Sequence, residues 1–288
     1  MCRTGGRRCP SHSDPKMVTE RNARRRAAYA AKVSNVIPAP VYNFPSITES
    51  LPYMDGEGNS PEEKQFFADQ KAFFDLVDPD AITVPAENED RDLTEEEAEE
   101  ARLRHEEFYT LRDYTEDSFN DVREYLIDGD IFNNVDHEKT VASLDRAIAK
   151  ATPPKEDRVL YRGLAIPADV IDDERVDSWL EERFPVGGVI SQKNYMSTSV
   201  SPSVANNFSE WNSSTDDDGI IMQILSKKGA PLGLGTSYRG LEEMEVLIPR
   251  DAKFKVVEVI RNTPYDIVKG TRTVSEERKT IIRVVDAS

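Results

Sequence analysis

The chain reads as an α+β fold, with helices first and strands after. Two capping boxes, Ser60-Pro61-Glu62-Glu63 and Thr94-Glu95-Glu96-Glu97, open stretches of helical periodicity in the first half. From Arg158 the period changes to short runs of β-branched and aromatic residues separated by turns. Pro153-Pro154 stands between the two regimes and halts the last of the early helices.

Residues 1–59 are expected to be a basic, Pro-rich disordered tail and linker. Arg3, Arg7, Arg8, Lys16, Arg21, Arg24, Arg25, Arg26 and Lys32 face only Asp14 and Glu20 there. The Arg- and Ala-rich piece 21–32 has the composition of a short basic helix, and Pro38, Pro40, Pro45 and Pro52 break its continuation. Order begins at the Ser60 cap and fills one domain, 60–288, divided into a helical layer, 60–154, and a β-rich core, 155–288.

In the helical layer the first helix runs to Val77, buries Phe66, Phe67, Phe73, Phe74 and Val77, and ends at Asp78-Pro79. An acidic helix follows from the Thr94 cap to Thr110, its glutamates suited to the positive end of the helix dipole and otherwise a solvated face. Residues 115–127 carry Phe119, Val122, Tyr125 and Leu126 at helical spacing and stop near Gly129. Residues 136–151 carry Val141, Leu144 and Ile148 likewise. In the core, 158–166, 188–190, 195–200, 219–225, 243–248, 254–261 and 279–285 read as strands, with helices at 170–184 and 202–208.

A net charge of -17 and a pI near 4.7 argue against a general nucleic-acid surface, which needs clustered Lys and Arg; the basic leader is the one segment that offers them. No apolar run approaches the length of a membrane span, and the first 26 residues lack the apolar stretch of a secretory signal. A soluble protein made in a cytoplasm is expected, with no need for an oligomer. Cys2 and Cys9 with His12 stand one ligand short of a structural zinc site, and their spacing is not a usual zinc pairing.

Within 241–249, Glu243 and Glu245 sit two apart at the head of the run Val246-Leu247-Ile248, which on a strand places both side chains on one face. Because Asp and Glu make up 54 of the 288 residues, such a pair also arises by chance and, alone, reads as a solvated strand edge. Its company changes the weight. Arg162 lies in Val159-Leu160-Tyr161-Arg162-Gly163, and Ser197-Thr198-Ser199 follows Asn194-Tyr195-Met196, each in a short strand-like run. The order Arg, Ser-Thr-Ser, Glu-x-Glu resembles the mono-ADP-ribosyltransferases of the arginine-modifying toxin and phage type, over residues 110–260.

The resemblance implies two packed, mostly antiparallel sheets crossing steeply, an NAD cleft between them, and a flanking helical layer. It implies NAD as the substrate and no metal. Glu245 would steady the positive charge that develops on the ribose as nicotinamide leaves. Glu243 would orient the acceptor guanidinium and receive its proton. By the same resemblance Ser197 holds Glu245, and Arg162 binds the pyrophosphate or its adjoining ribose, where a planar fork suits oxygen recognition. The Gly163 main chain meets the nicotinamide amide; Asn194, Thr198 and Ser199 belong to the nucleotide site, and Phe208 stacks near nicotinamide. Tyr238, in the Gly-punctuated stretch 233–240, would recognise the target protein.

Without the resemblance the same residues read blandly: Arg162 as a surface arginine, the Ser-Thr-Ser run as an alternating polar strand, Phe208 as helix packing. Where many relatives place a second basic residue after that Phe, this chain has Ser209-Glu210-Trp211-Asn212, which leaves Lys193 as a candidate replacement. The expected function is transfer of ADP-ribose to an arginine of a target protein, by a phage- or toxin-type effector in a bacterial host cytoplasm, with carriage in a virion open. An NAD glycohydrolase and a non-catalytic virion or interaction protein on the same fold are the alternatives.

Overall fold

A computed structural model of the chain describes residues 42–46, 49–54, 56–78, 93–129, 136–167, 170, 173–210, 219–232, 243–269 and 272–287. Cys2, Cys9, His12, the expected basic helix 21–32 and Tyr238 lie outside the described residues.

The first helix, α1 (Pro61–Val77), starts at the expected capping box: the Glu63 amide donates to Ser60 Oγ at 3.0 Å, and the Ser60 amide donates to the Glu63 carboxylate at 2.8 Å. Glu63 is almost fully buried, yet it is satisfied, because the Gly56 and Asn59 amides also donate to it. α2 (Glu95–Asp113) opens on the second box. It does not stop near Thr110; a π-type turn (Tyr114–Ser118) carries it into α3 (Phe119–Asp128). The two helices expected over 94–110 and 115–127 are therefore one helix with a widened turn, a feature that often marks a functional site. Thr115 does not start a helix but donates its hydroxyl to Arg112 O at 2.9 Å. α4 (His137–Ala149) is capped by Asp136.

The strands are β1 (Leu51–Pro52), β2 (Arg158–Leu164), β3 (Val189–Gln192), β4 (Met196–Ser199), β5 (Ile220–Ser226), β6 (Ala230–Pro231), β7 (Glu245–Ile248), β8 (Ala252–Lys269) and β9 (Arg272–Asp286), with α5 (Asp173–Arg183) and α6 (Pro202–Glu210) between them. Among the described residues they join in one mixed sheet, ordered β1-β8-β9-β5-β2-β4-β7-β6, with β3 also on β8. Only β1–β8 and β5–β9 are parallel. Hydrogen bonds do not divide this sheet in two; its narrowest join is β2–β4, made at a single pair, Tyr161 opposite Ser199.

Apolar side chains decide how the layers stack. Met196, Val246 and Ile248 face a cluster with Leu160, Met222, Ile224, Phe254, Ile282 and Val284. Tyr195 and Leu247, on the opposite face of the same two strands, pack with Phe73, Leu111, Tyr114, Val122 and Leu144 of the helical layer. The Met196–Ile248 end of the β4–β7 pair is thus covered on both faces, and each fully buried Leu or Ile stabilises by about 1.5–3 kcal/mol relative to exposure. No helix among the described residues is long and apolar enough to cross a membrane.

Candidate active site

Glu245 opens β7 opposite Ser199 of β4, and Ser197 lies opposite Leu247, two positions along the same face. That diagonal puts the exposed Ser197 side chain against the Glu245 carboxylate, to which it hydrogen-bonds. Arg162, from β2, reaches the same place: its Nη1 donates to Ser197 O at 2.5 Å, and its charge acts on Glu245. The seam between β2 and β4 brings the three motifs together.

Burial dominates the electrostatics. It pushes the Glu245 carboxyl up to about 7; the Ser197 hydrogen bond and Arg162 pull it down, and the neighbouring Glu243 pushes it further up. The Arg162 guanidinium is held below its usual range, again by burial first. A half-buried carboxylate beside a permanent cation is suited to stabilising charge that develops on a bound substrate.

Glu243 is close to Glu245 for a different reason from strand alternation. β7 begins only at Glu245, and Met244 between them has φ of 40°, a left-handed conformation that a side chain as large as Met rarely adopts. Met244 is fully buried, its carbonyl accepts from the Val200 amide at 3.3 Å, and Ser199 Oγ donates to Glu243 O at 2.6 Å. Core packing and two hydrogen bonds therefore hold the bend. The other end of segment 233–242 is fixed as well: Leu232 is fully buried, its amide donates to Glu245 O at 2.8 Å, and Gln70 of α1 donates to its carbonyl at 2.8 Å.

Two residues missed in the sequence complete the site. Tyr114, in the π-type turn, is nearly buried, and its hydroxyl is held above its usual range by burial and then by Glu245, against the opposing charges of Arg162 and Arg123. Arg123 of α3 is exposed, acts on both Tyr114 and Arg162, and has no ion pair among the described residues. The one available signal was Tyr114 standing where a helical period falters; nothing in the sequence brings the charge of Arg123 within range of Arg162.

The remaining expected residues divide. Asn194 is buried beside Tyr195, and its Oδ1 has no hydrogen-bond partner among the described residues, so it is an acceptor suited to a ligand donor. Phe208 stands nearly half-exposed on α6, not in the core. Thr198 and Ser199, expected in the nucleotide site, are buried and bonded within the protein, Thr198 Oγ1 to Val246 O at 2.6 Å and Ser199 Oγ to Glu243 O. Only Ser197 of the three is open. Gly163 is required for a reason other than ligand approach: a Cβ there would lie 2.0 Å from Ala205 O and 2.5 Å from Ser209 N, so its lack of a side chain lets α6 lie on β2. Lys193 is exposed. No cluster of His, Cys, Asp and Glu among the described residues could hold a metal.

Among curated proteins none matches this sequence. The enzymatic component C2-I of the C2 toxin from Clostridium botulinum superposes with a TM-score of 0.50 at 14% identity, over 83% of this chain and 50% of that one, so the chain spans half the length of C2-I. Plx2a, an ADP-ribosyltransferase toxin from Paenibacillus larvae, gives 0.49 at 18% identity, over 83% of this chain and 100% of that one. Vis toxin, an ADP-ribosyltransferase from Vibrio splendidus, gives 0.45 at 15%, over 81% of this chain and 90% of that one. At such identities structural likeness speaks to fold alone. The family profile described as ADP-ribosyltransferase exoenzyme matches residues 93–286, most of the chain. The chain belongs to the ADP-ribosyltransferase exoenzyme family.

Proposed function

We propose that this chain transfers ADP-ribose from NAD to arginine side chains of a target protein, with release of nicotinamide, as a toxin- or phage-type effector acting in a bacterial cytoplasm. The observation that carries the reading is Glu245 held by Ser197, faced by Arg162, with Glu243 as a second carboxylate beside it.

NAD supplies a cationic nicotinamide leaving group, so departure needs no general acid. Glu245, in its ionised form, holds a ribose hydroxyl and stabilises the positive charge that grows on that sugar. Ser197 keeps the carboxylate aimed and favours its charged form. Arg162 and Arg123 present two cations to the pyrophosphate, and Arg123 takes the part of the basic residue absent after Phe208. Asn194 Oδ1 offers its unused acceptor to a donor of the nucleotide. Glu243 pairs with the acceptor guanidinium, orients one nitrogen and takes the proton lost on transfer. A carboxylate suits a cationic acceptor here, which is the support for arginine over a neutral side chain.

The test is a pair of peptides that differ only in one Arg or Lys, incubated with the protein and NAD and weighed by mass spectrometry. An ADP-ribose adduct on the arginine peptide alone supports the reading. Nicotinamide release with no adduct on peptide or lysate protein favours water as the acceptor, hence a glycohydrolase.

A further inference from the structure

Tyr195 lies one residue before β4 and Arg250 two residues after β7, and both turn to the same carboxylate, that of Asp145 on α4. The Tyr195 hydroxyl donates to Asp145 Oδ1 at 2.7 Å and also approaches Val141 O at 3.0 Å. Arg250 donates through Nε and Nη2 to Asp145 Oδ2 at 3.0 and 2.8 Å, with Nε 3.2 Å from Oδ1. One helical-layer carboxylate thus ties together the two strands that carry Ser197 and Glu245. It does so at the far end of their pairing, where Met196 meets Ile248, while Glu245 meets Ser199 at the other end.

The Tyr195 ring carries this tie inward. It is buried, and it meets the Tyr114 ring edge-on, with centroids 5.6 Å apart and planes at 74°. Tyr114 in turn packs in the cluster that holds Leu247, two residues from Glu245 on the same face of β7, and feels the Glu245 charge. A continuous line of contact therefore runs from Asp145 through Tyr195 to Tyr114, whose cluster reaches the strand that carries the acid. An exposed ion pair between Asp145 and Arg250 alone would contribute at most about 1 kcal/mol. A buried tyrosine hydroxyl that loses its acceptor is more consequential, and here that hydroxyl sets where the ring lies.

We propose that Asp145 is a positioning residue: through the hydroxyl and ring of Tyr195 it seats Tyr114 beside the half-buried Glu245 and limits the water that reaches that acid. The proposal rests on the transfer reading given above. Among the described residues, the charged and titratable groups that act on Glu245 or its neighbours are Arg162 from β2, Glu243 from its own segment and Tyr114 from the π-type turn, with Arg123 of α3 acting on the latter and on Arg162. If Tyr114 shifts and water enters, the burial that holds Glu245 near neutrality is relieved, and its ionisation moves to lower pH.

The experiment compares wild type, Asp145→Ala, Asp145→Asn and Tyr195→Phe in the full chain. It follows nicotinamide release across pH, with hydrogen exchange of segment 111–123 as a readout that needs no activity. Asp145→Ala is expected to lower kcat roughly tenfold with little change in KM for NAD, to move the acid limb of the rate profile to lower pH, and to speed exchange at Tyr114. Asp145→Asn, which keeps an acceptor for the tyrosine, recovers much of the loss, and Tyr195→Phe resembles Asp145→Ala. A lower melting temperature with kcat, acid limb and exchange all unchanged would make Asp145 a plain structural tie and overturn the proposal. A wild type that releases no nicotinamide refutes the transfer reading, while the exchange comparison still decides whether Asp145 seats Tyr114.

Discussion

Ser197 hydrogen-bonds the Glu245 carboxylate from the adjacent strand, and Glu243 lies close enough to the same carboxylate to raise its pKa. The two neighbours act in opposite directions. The acid limb of kcat/KM for nicotinamide release should lie near the value of about 7 that burial gives Glu245. Ser197→Ala removes a bond that favours the ionised form and moves the limb to higher pH. Glu243→Gln removes a like charge and moves it to lower pH. Limbs that shift together, or not at all, contradict the assignment of Glu245 as the group being titrated.

The same carboxyl makes stability depend on pH. Its folded-state value, about 7, lies above the ordinary glutamate value of 4.5, so the folded protein holds this proton more tightly than the unfolded chain. Stability contributed by the protonated form is then present at acid pH and declines as pH rises from 4.5 to about 7. Glu245→Gln abolishes that decline. Denaturant titrations should show the variant gaining on wild type as pH rises from mildly acid to mildly alkaline; a constant difference would mean that Glu245 ionises as freely in the fold as out of it.

Arg123 of the helical layer lies near enough for its charge to act on Arg162, and it has no ion pair among the described residues. Arg123→Ala should raise KM for NAD by roughly tenfold while kcat changes little, because a phosphate contact is present before and during the reaction alike. The effect should shrink as salt is raised. An unchanged KM would leave Arg162 as the sole cation serving the pyrophosphate among these two.

Gly163 bears α6. A Cβ there meets backbone atoms of Ala205 and Ser209, which cannot swing aside, so Gly163→Ala must displace the helix that presents Phe208. The expected loss is about 2–3 kcal/mol, read as a fall in melting temperature together with weaker NAD binding. A variant as stable as wild type would mean that α6 packs on β2 with slack that the geometry does not contain.

The sequence made the helix starts legible because they are local: Ser60 and Thr94 carry their caps within four residues. The three motifs were legible as residue types, yet what unites them is not local, since Arg162, Ser197 and Glu245 meet only through the single-pair join of β2 and β4 and the diagonal of β4 and β7. The helical spacing of Phe119, Val122, Tyr125 and Leu126 points to a helix from Thr115, but it does not show that the preceding helix runs into it through a π-type turn, whose Tyr114 packs on Tyr195 far along the chain. The outer halves of β8 and β9 were missed because a register shift between Ile260 and Thr263, with Asn262 at φ of 52°, breaks the alternation that marks a strand. The resemblance assigns Thr198 and Ser199 to the nucleotide site with the whole Ser-Thr-Ser run, but which hydroxyls stay open depends on the partner strand, and these two bond Val246 O and Glu243 O.

The division of labour between Glu245 and Glu243 is tested most directly by transfer of label from adenine-labelled NAD to proteins of a bacterial lysate, run beside nicotinamide release, for wild type, Glu245→Gln and Glu243→Gln. Glu245 and Glu243 acting in sequence predict labelled bands lost in both variants, with nicotinamide release surviving only in Glu243→Gln. Labelling that persists without Glu245, or a folded wild type that neither labels protein nor releases nicotinamide, would contradict it.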